Sequence, residues 1–267
     1  WSVIKGSQAQ LIDVLNLLDS SIDVNNNNDS NQISYQNNIS INRVSFKHKG
    51  DESYIIKNIS LIIKKGMSLG IVGATGSGKS TLLDLLMCLI EPTNGTISID
   101  GKNLTEGTKK SWQRRIAHVP QDIFLIDATI MENIAFGMPM GKIDIDMVKK
   151  AASCAEIDLY IESTPLKYNT IVGEAGIKLS GGQKQRIGIA RALYKRADVL
   201  FLDEATSALD NQTEKEVIKS LESSNDNLTL VMIAHRISTL QHCDNIVKLD
   251  MGSIVFIGSY KDYINNQ

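Results

Sequence analysis

The stretch Ser68-Leu69-Gly70-Ile71-Val72-Gly73-Ala74-Thr75-Gly76-Ser77-Gly78-Lys79-Ser80-Thr81-Leu82-Leu83-Asp84-Leu85-Leu86-Met87 decides the fold. Its first five residues are a short apolar run suited to a buried strand, and Thr81 to Met87 has helical character. Between them, Gly73 to Ser80 follows the spacing glycine, four residues, glycine, lysine, serine. Glycines at these points let the backbone curl so that successive N–H groups converge on phosphate oxygens. Lys79 is then positioned to reach the β- and γ-phosphates, and the Ser80 hydroxyl to meet Mg2+. Strand, loop and helix make one α/β unit.

Outward from this unit, Val199 to Leu202 and Leu230 to Ile233 are continuous apolar runs separated by a helical stretch, Thr213 to Leu221. That pattern predicts parallel strands buried on both faces and joined by crossovers. Ile39 to Phe46 and Ile55 to Ile63 instead alternate apolar with polar residues, and Thr96 to Ile99 leads into an Asp100-Gly101 turn. These predict an antiparallel β subdomain. From about Gln121 to Lys178 the composition turns helical, most clearly at Met147 to Glu156 and Asp158 to Glu162. The expected fold class is α/β: a mostly parallel sheet with flanking helices, an antiparallel β subdomain, and an inserted α-helical subdomain over about 121–185. Upstream, Gln8 to Leu18 has apolar residues at helical spacing and needs a partner surface. Residues 25–38 are Asn-rich and polar and read as a linker, so the expected boundaries are 1–24, 25–38 and 39–267.

Composition narrows the classes. The chain has 267 residues, 42% apolar and 22% charged, with net charge −2, which is ample for a core and excludes wholesale disorder. The near-neutral balance without Lys/Arg runs leaves no footprint for nucleic acid. Cys88, Cys154 and Cys243 lack metal or redox spacing and are expected to be buried thiols. No run reaches the length of a membrane helix. The chain opens at Trp1 without a leader pattern, so an upstream part is expected to be missing.

Two further segments carry chemistry. The run Val199 to Leu202 ends in Asp203-Glu204, at a strand end where sheet ligands bind. Asp203 is positioned to hold Mg2+, directly or through water, and Glu204 to polarise a water for attack on the γ-phosphate. Leu179-Ser180-Gly181-Gly182-Gln183 opens a helix and makes a second anion-binding helix start.

With these motifs the chain resembles the nucleotide-binding domain of ATP-binding cassette (ABC) transporters, a P-loop NTPase core. Gly73, Ala74, Thr75, Gly76, Ser77, Gly78, Lys79, Ser80 and Thr81 resemble the Walker A loop, Val199 to Glu204 the Walker B strand, and Leu179 to Gln183 the signature. Gln121 matches the Q-loop glutamine, which in the family touches Mg2+ and the attacking water. Ser207, Ala208, Leu209 and Asp210 match the D-loop, and His235 the histidine that contacts the γ-phosphate. The resemblance implies ATP and Mg2+ as cofactors, Ser80, Gln121 and Asp203 at the metal, and Lys79, Glu204, His235 and Gln121 in catalysis.

It also implies a head-to-tail dimer in which each signature caps the partner's ATP, with a homodimer the simpler expectation because this chain carries both Glu204 and an intact signature. Thr170 to Gly176 resembles the segment that exporters of the family use against their membrane domain, and Gln8 to Leu18 resembles the connection from a last membrane helix. The implied function is the ATP-hydrolysing motor of an exporter or flippase, at the cytoplasmic face of the cell membrane. It would touch the membrane only through a transmembrane domain of the same polypeptide. An importer ATPase and a soluble cassette ATPase are the alternatives. The sequence departs from the family at the adenine platform, where His48 replaces the usual aromatic residue and Tyr54 is an alternative.

Overall fold

The computed structural model describes residues 32–224, 227–234 and 236–266. The predicted helix Gln8 to Leu18 and the predicted site residue His235 lie outside the described residues. In chain order, the elements begin with β1 (Asn38–Phe46), β2 (Ile56–Lys64), β3 (Ser68–Val72), α1 (Lys79–Leu86), β4 (Asn94–Ile99) and β5 (Lys102–Asn103). There follow α2 (Glu106–Arg115), β6 (Ile116–Val119), α3 (Ile130–Ile134), α4 (Ile145–Cys154), α5 (Asp158–Ser163) and α6 (Gly181–Tyr194). The chain closes with β7 (Val199–Asp203), α7 (Asn211–Ser224), β8 (Thr229–Ile233), α8 (Ile237–Leu240), β9 (Asn245–Asp250), β10 (Ser253–Gly258) and α9 (Tyr260–Asn265).

Two sheets result. The smaller is antiparallel, in the order β2-β1-β4-β5. Its alternation buries Ile39, Ile41, Val44 and Phe46 of β1 and Ile56, Ile59, Leu61 and Ile63 of β2 on one side. The larger has the order β10-β9-β3-β8-β7-β6, parallel from β9 to β6 with β10 antiparallel at one edge.

The continuous apolar runs have a physical explanation in this second sheet. Val199 and Phe201 of β7, with Val231 and Ile233 of β8, join the core shared with the small sheet, α1 and Trp112. Their neighbours Leu200, Leu202, Leu230 and Met232 join a second core with the helices of the opposite face. Apart from Asp203 at the end of β7 and the buried Thr229 at the start of β8, every position in these strands is thus apolar and inside, each Leu, Ile or Val contributing about 1.5–3 kcal/mol of burial.

The helical region differs in detail from its expected span. Its first helix, α3, starts only at Ile130, fixed by a capping box between Thr129 and Glu132. α6, begun at the signature, runs on to Tyr194 and packs on α4 and on β6.

The Asn-rich segment is also not linker throughout. Ile33 and Tyr35 are buried, the Tyr35 ring lies edge-on to Trp112 at 5.8 Å, and its hydroxyl shares a hydrogen bond with Thr229 Oγ1 at 2.8 Å. One compact unit therefore starts at Gln32 rather than 39. Two apolar side chains among polar neighbours were enough to anchor a segment whose composition reads as solvent-facing. Of the three cysteines, Cys88 and Cys243 are buried and Cys154 is partly exposed.

The register aligns the site. Ile71 of β3, Ile233 of β8 and Asp203 of β7 stand in one row across the sheet, and Val119 of β6 pairs with Leu202. The segments that leave β3, β8, β7 and β6 therefore emerge at one sheet edge, the carboxyl ends of parallel strands, where this architecture binds ligands.

Candidate nucleotide site

The loop after β3 is wedged against distant parts of the chain. A Cβ on Gly73, at φ +154°, would lie 2.3 Å from the Leu249 carbonyl oxygen and 2.6 Å from Ser77 Oγ. The Gly252 N–H donates to the Ser77 carbonyl at 3.2 Å, and the Lys57 N–H donates to the Gly252 carbonyl at 2.8 Å. Gly73→Ala should therefore distort the loop, because the obstacle is backbone. The expected result is loss of nucleotide binding together with a lower melting temperature, read by titration and thermal unfolding, from strain of about 1–3 kcal/mol.

Within the loop, Lys79 is 7% exposed and its Nζ donates to the carbonyls of Gly73 at 2.9 Å and Ala74 at 3.0 Å. The ammonium thus bridges the mouth of the curl. Ser77 Oγ is buried without a hydrogen-bond partner among the described residues. A buried, unpaired hydroxyl costs about 1–3 kcal/mol, and a phosphate oxygen in the curl is an acceptor that offsets it. Ala74, Thr75 and Gly76 at the tip are exposed, as is Ser80, while Thr81 is half-buried.

Ser80 and Asp203 are brought together, the Ser80 side chain favouring the ionised Asp203 carboxyl. Burial pushes the Asp203 carboxyl above its ordinary range, with the charges of Glu204 and Asp84 adding to the rise and His118 and Ser80 opposing it. A hydroxyl beside a carboxylate whose charge burial makes costly is a donor set suited to a divalent cation, which would offset that cost.

The same shift makes a stability prediction. With the folded pKa raised, the stability owed to this group is fully present below the unfolded carboxylate value and is lost as pH rises through the folded one. Asp203→Asn should raise the melting temperature at neutral pH by about 2–4 °C. The gain should vanish below about pH 4, where Asp203 is neutral in both states.

Glu204 follows at φ +51°, a left-handed conformation uncommon for a residue with a side chain. It ends β7 abruptly, and its carbonyl accepts from the Ser207 N–H at 3.0 Å to start the next turn. In that turn Leu209 is buried, whereas Ser207, Ala208 and Asp210 are exposed. Asp210 caps α7, accepting from the Gln212 and Thr213 N–H groups and from Thr213 Oγ1. The Thr213 bonds hold its carboxyl below the ordinary range.

The signature is a capping box. Ser180 Oγ accepts from the Gln183 N–H at 3.3 Å and the Ser180 N–H donates to Gln183 Oε1 at 2.8 Å, opening the 14-residue helix α6. Leu179 is buried, while a Cβ on Gly182 would come 3.1 Å from the Ala208 carbonyl oxygen, and one on Gly181 would come 3.4 Å from Ala208 Cβ. The signature glycines thus let the helix start lie close against the turn of residues 207–210. Gln185 fastens the two: its Nε2 donates to Ser207 Oγ at 3.1 Å and its Oε1 accepts from the Ala208 N–H at 2.9 Å. The sequence reading passed over Gln185, since nothing in its spacing separates it from other polar helix residues.

Gln121 is exposed, two residues past the end of β6. Of the two adenine candidates, His48 is exposed and stands edge-on to Phe46 at 5.1 Å. Tyr54 is half-buried, its hydroxyl accepts from Asn94 Nδ2 at 3.0 Å, and Lys47 Nζ lies 5.5 Å over its ring. His48 is the freer ring.

With this geometry established, comparison with known proteins is informative. Residues 56–207 match the model of the ABC transporter family. The chain belongs to that family. "Heavy metal tolerance factor 1" of Caenorhabditis elegans is 44% identical over 86% of this chain and 28% of its own length. ATP-binding cassette sub-family B member 5 of Mus musculus is 40% identical over 86% of this chain and 18% of its own. A putative multidrug export ATP-binding/permease protein of Staphylococcus aureus is 40% identical over 95% of this chain and 44% of its own. Among solved structures, a bacterial Atm1-family ABC exporter with ATP bound superposes with a TM-score of 0.86 at 34% identity, over 98% of this chain and 46% of the other. The chain thus spans less than half the length of these relatives, and it corresponds to the nucleotide-binding domain of the exporter type.

Proposed function

We propose that this domain binds Mg-ATP and hydrolyses it as the motor of an exporter or flippase. The observation that carries the reading is the convergence at one sheet edge of a lysine-closed phosphate curl holding an orphaned Ser77 hydroxyl with the Ser80 and Asp203 pair. Backbone N–H groups of Gly73 to Thr81 and the Lys79 ammonium bind the phosphates. Ser80, Asp203 and Gln121 would hold Mg2+, which when bound neutralises phosphate charge. Glu204 orients and deprotonates the attacking water, His235 contacts the γ-phosphate, and His48 or Tyr54 stacks on adenine.

A second copy contributes Ser180, Gly181 and Gly182 to the γ-phosphate, and two-fold symmetry makes both sites equivalent. Closing the dimer would exclude water and strengthen those contacts, and hydrolysis would release them.

The transmembrane partner is a proposal of the same kind. Among the described residues no helix is long and apolar enough to cross a membrane. The region from Gln121 to Ile177 exposes Phe124, Phe136, Ile171 and Ile177, the last at 79%. Arg191 links two of these, donating to the Phe124 carbonyl at 3.0 Å and lying 4.8 Å over the Phe136 ring. A groove of about 610 Å³ begins at Phe136, where Ile134, Met138 and Tyr194 line it together with the charged Lys142, Asp144 and Lys195. Exposed aromatic and aliphatic groups beside a groove favour a docking face for a membrane domain at the cytoplasmic side.

The test is the wild-type rate of ATP hydrolysis against protein concentration. A rate rising faster than linearly supports shared sites. Absence of any Mg-ATP binding overturns the reading.

A further inference from the structure

Away from the phosphate curl, one buried carboxylate gathers donors from two loops. Glu214, on α7, is 2% exposed. Its Oε1 accepts from Thr206 Oγ1 at 2.7 Å and from Thr239 Oγ1 at 2.6 Å, and its Oε2 faces Arg236 Nη1 at 3.2 Å. The same guanidinium donates to the Leu209 carbonyl at 2.8 Å and to the Ser207 carbonyl at 3.1 Å.

Thr206, Ser207 and Leu209 belong to the turn that leaves β7, whereas Arg236 and Thr239 belong to the turn and short helix that leave β8. Two loops from adjacent strands are thereby fastened to one anion. A buried carboxylate is costly unless its oxygens are satisfied, and here hydroxyls satisfy one and a guanidinium the other. The planar fork of Arg236 spans the carboxylate and two carbonyls at once, which a lysine point charge cannot do.

We propose that Glu214 and Arg236 form a positioning clamp that makes the 205–210 turn and the 236–240 turn move as one body. Its bearing on hydrolysis rests on the functional reading above. The 205–210 turn lies against the signature helix through Gln185, and position 236 follows the proposed γ-phosphate contact in sequence. Displacement of one loop would then displace the other, and turnover would depend on the clamp while ATP binding at the phosphate curl would not.

The test uses Arg236→Ala and Arg236→Lys, changes at a partly exposed side chain, with Glu214→Gln as the buried counterpart. Glutamine keeps an oxygen for the threonine hydroxyls but turns an amide toward the guanidinium. In the nucleotide-free chain, amide hydrogen exchange at Leu209 and at Thr239 to Cys243 should quicken together by about tenfold, while α1 amides stay unchanged. Exchange that quickens only after position 236 overturns the clamp.

With Mg-ATP, affinity for a fluorescent ATP analogue should stay within about twofold while kcat falls by about tenfold or more, misplacement acting on chemistry rather than binding. The double variant Glu214→Gln, Arg236→Ala should be no slower than either single one, since both break one unit. Additive effects, or losses of affinity and kcat in step, overturn the proposal. If the wild type fails to hydrolyse Mg-ATP, the functional reading falls, and hydrogen exchange alone decides the clamp.

Discussion

Glu204→Gln is expected to leave ATP binding intact and to lower turnover by a factor of about 10²–10⁴, the range general-base catalysis contributes. The change is isosteric, so the left-handed turn at φ +51° and its carbonyl bond from Ser207 can persist. Only the ability to take a proton is removed. The charge of Glu204 is among those pushing the Asp203 carboxyl upward, so its loss eases the ionisation of Asp203 and does not weaken the proposed metal pair. The expected record is an unchanged dissociation constant for Mg-ATP, phosphate release near background, and a mass by light scattering that doubles on adding Mg-ATP. A variant turning over at more than about a tenth of the wild-type rate would remove Glu204 from the role of base.

Two inactive variants, mixed in equal amounts, should recover about a quarter of the wild-type rate, because half the dimers are mixed and each holds one complete site. The variants are Lys79→Ala and Ser180→Asp. The first removes the ammonium that bridges Gly73 and Ala74, so its own nucleotide is lost while its signature stays whole. The second keeps a competent N-cap for α6, because aspartate caps as well as serine, but sets a carboxylate where a γ-phosphate must approach. Ser180 is exposed, so the change leaves the core untouched. In the mixed dimer, the phosphate curl of one chain meets the intact signature of the other. If each signature served its own chain's nucleotide, the mixture would stay as inactive as its parts.

What the sequence disclosed was strongest where local pattern and tertiary role coincide. β3, the glycine curl and α1 were legible because their apolar spacing, backbone demands and phosphate chemistry fall within twenty consecutive residues. β7 and β8 were legible because burial on both faces makes Val199 to Leu202 and Leu230 to Ile233 continuous apolar runs. By contrast, α2 and β6 went unread: in Glu106–Arg115 only Thr108 and Trp112 are buried, and four residues of strand follow without a turn signal. The β9 and β10 hairpin was missed as well, its Asp250 to Ser253 turn lying between ordinary short apolar runs.

Among site residues, those recognisable by spacing were named, while Gln185, Glu214 and Arg236 were not. Apart from the Thr206–Glu214 bond, their significance arises from partners between 22 and 29 positions away, which no local pattern encodes. Ile33 and Tyr35 make the same point at the boundary, where averaged polarity hid two anchors.

The props beneath the phosphate curl have a temporal consequence. Ser77 is held by the Gly252 N–H, and Gly73 fits under the carbonyl of Leu249, both far downstream in the sequence. β3 itself pairs with β8 and β9, so the central strand has no parallel neighbour until those strands exist. On a ribosome adding about 5–20 residues per second, the curl emerges many seconds before its supports. During that interval an apolar strand with two open edges must be shielded from pairing elsewhere. Nucleotide capture would then wait on translation of the β9–β10 hairpin, which must be in place before the curl can bind.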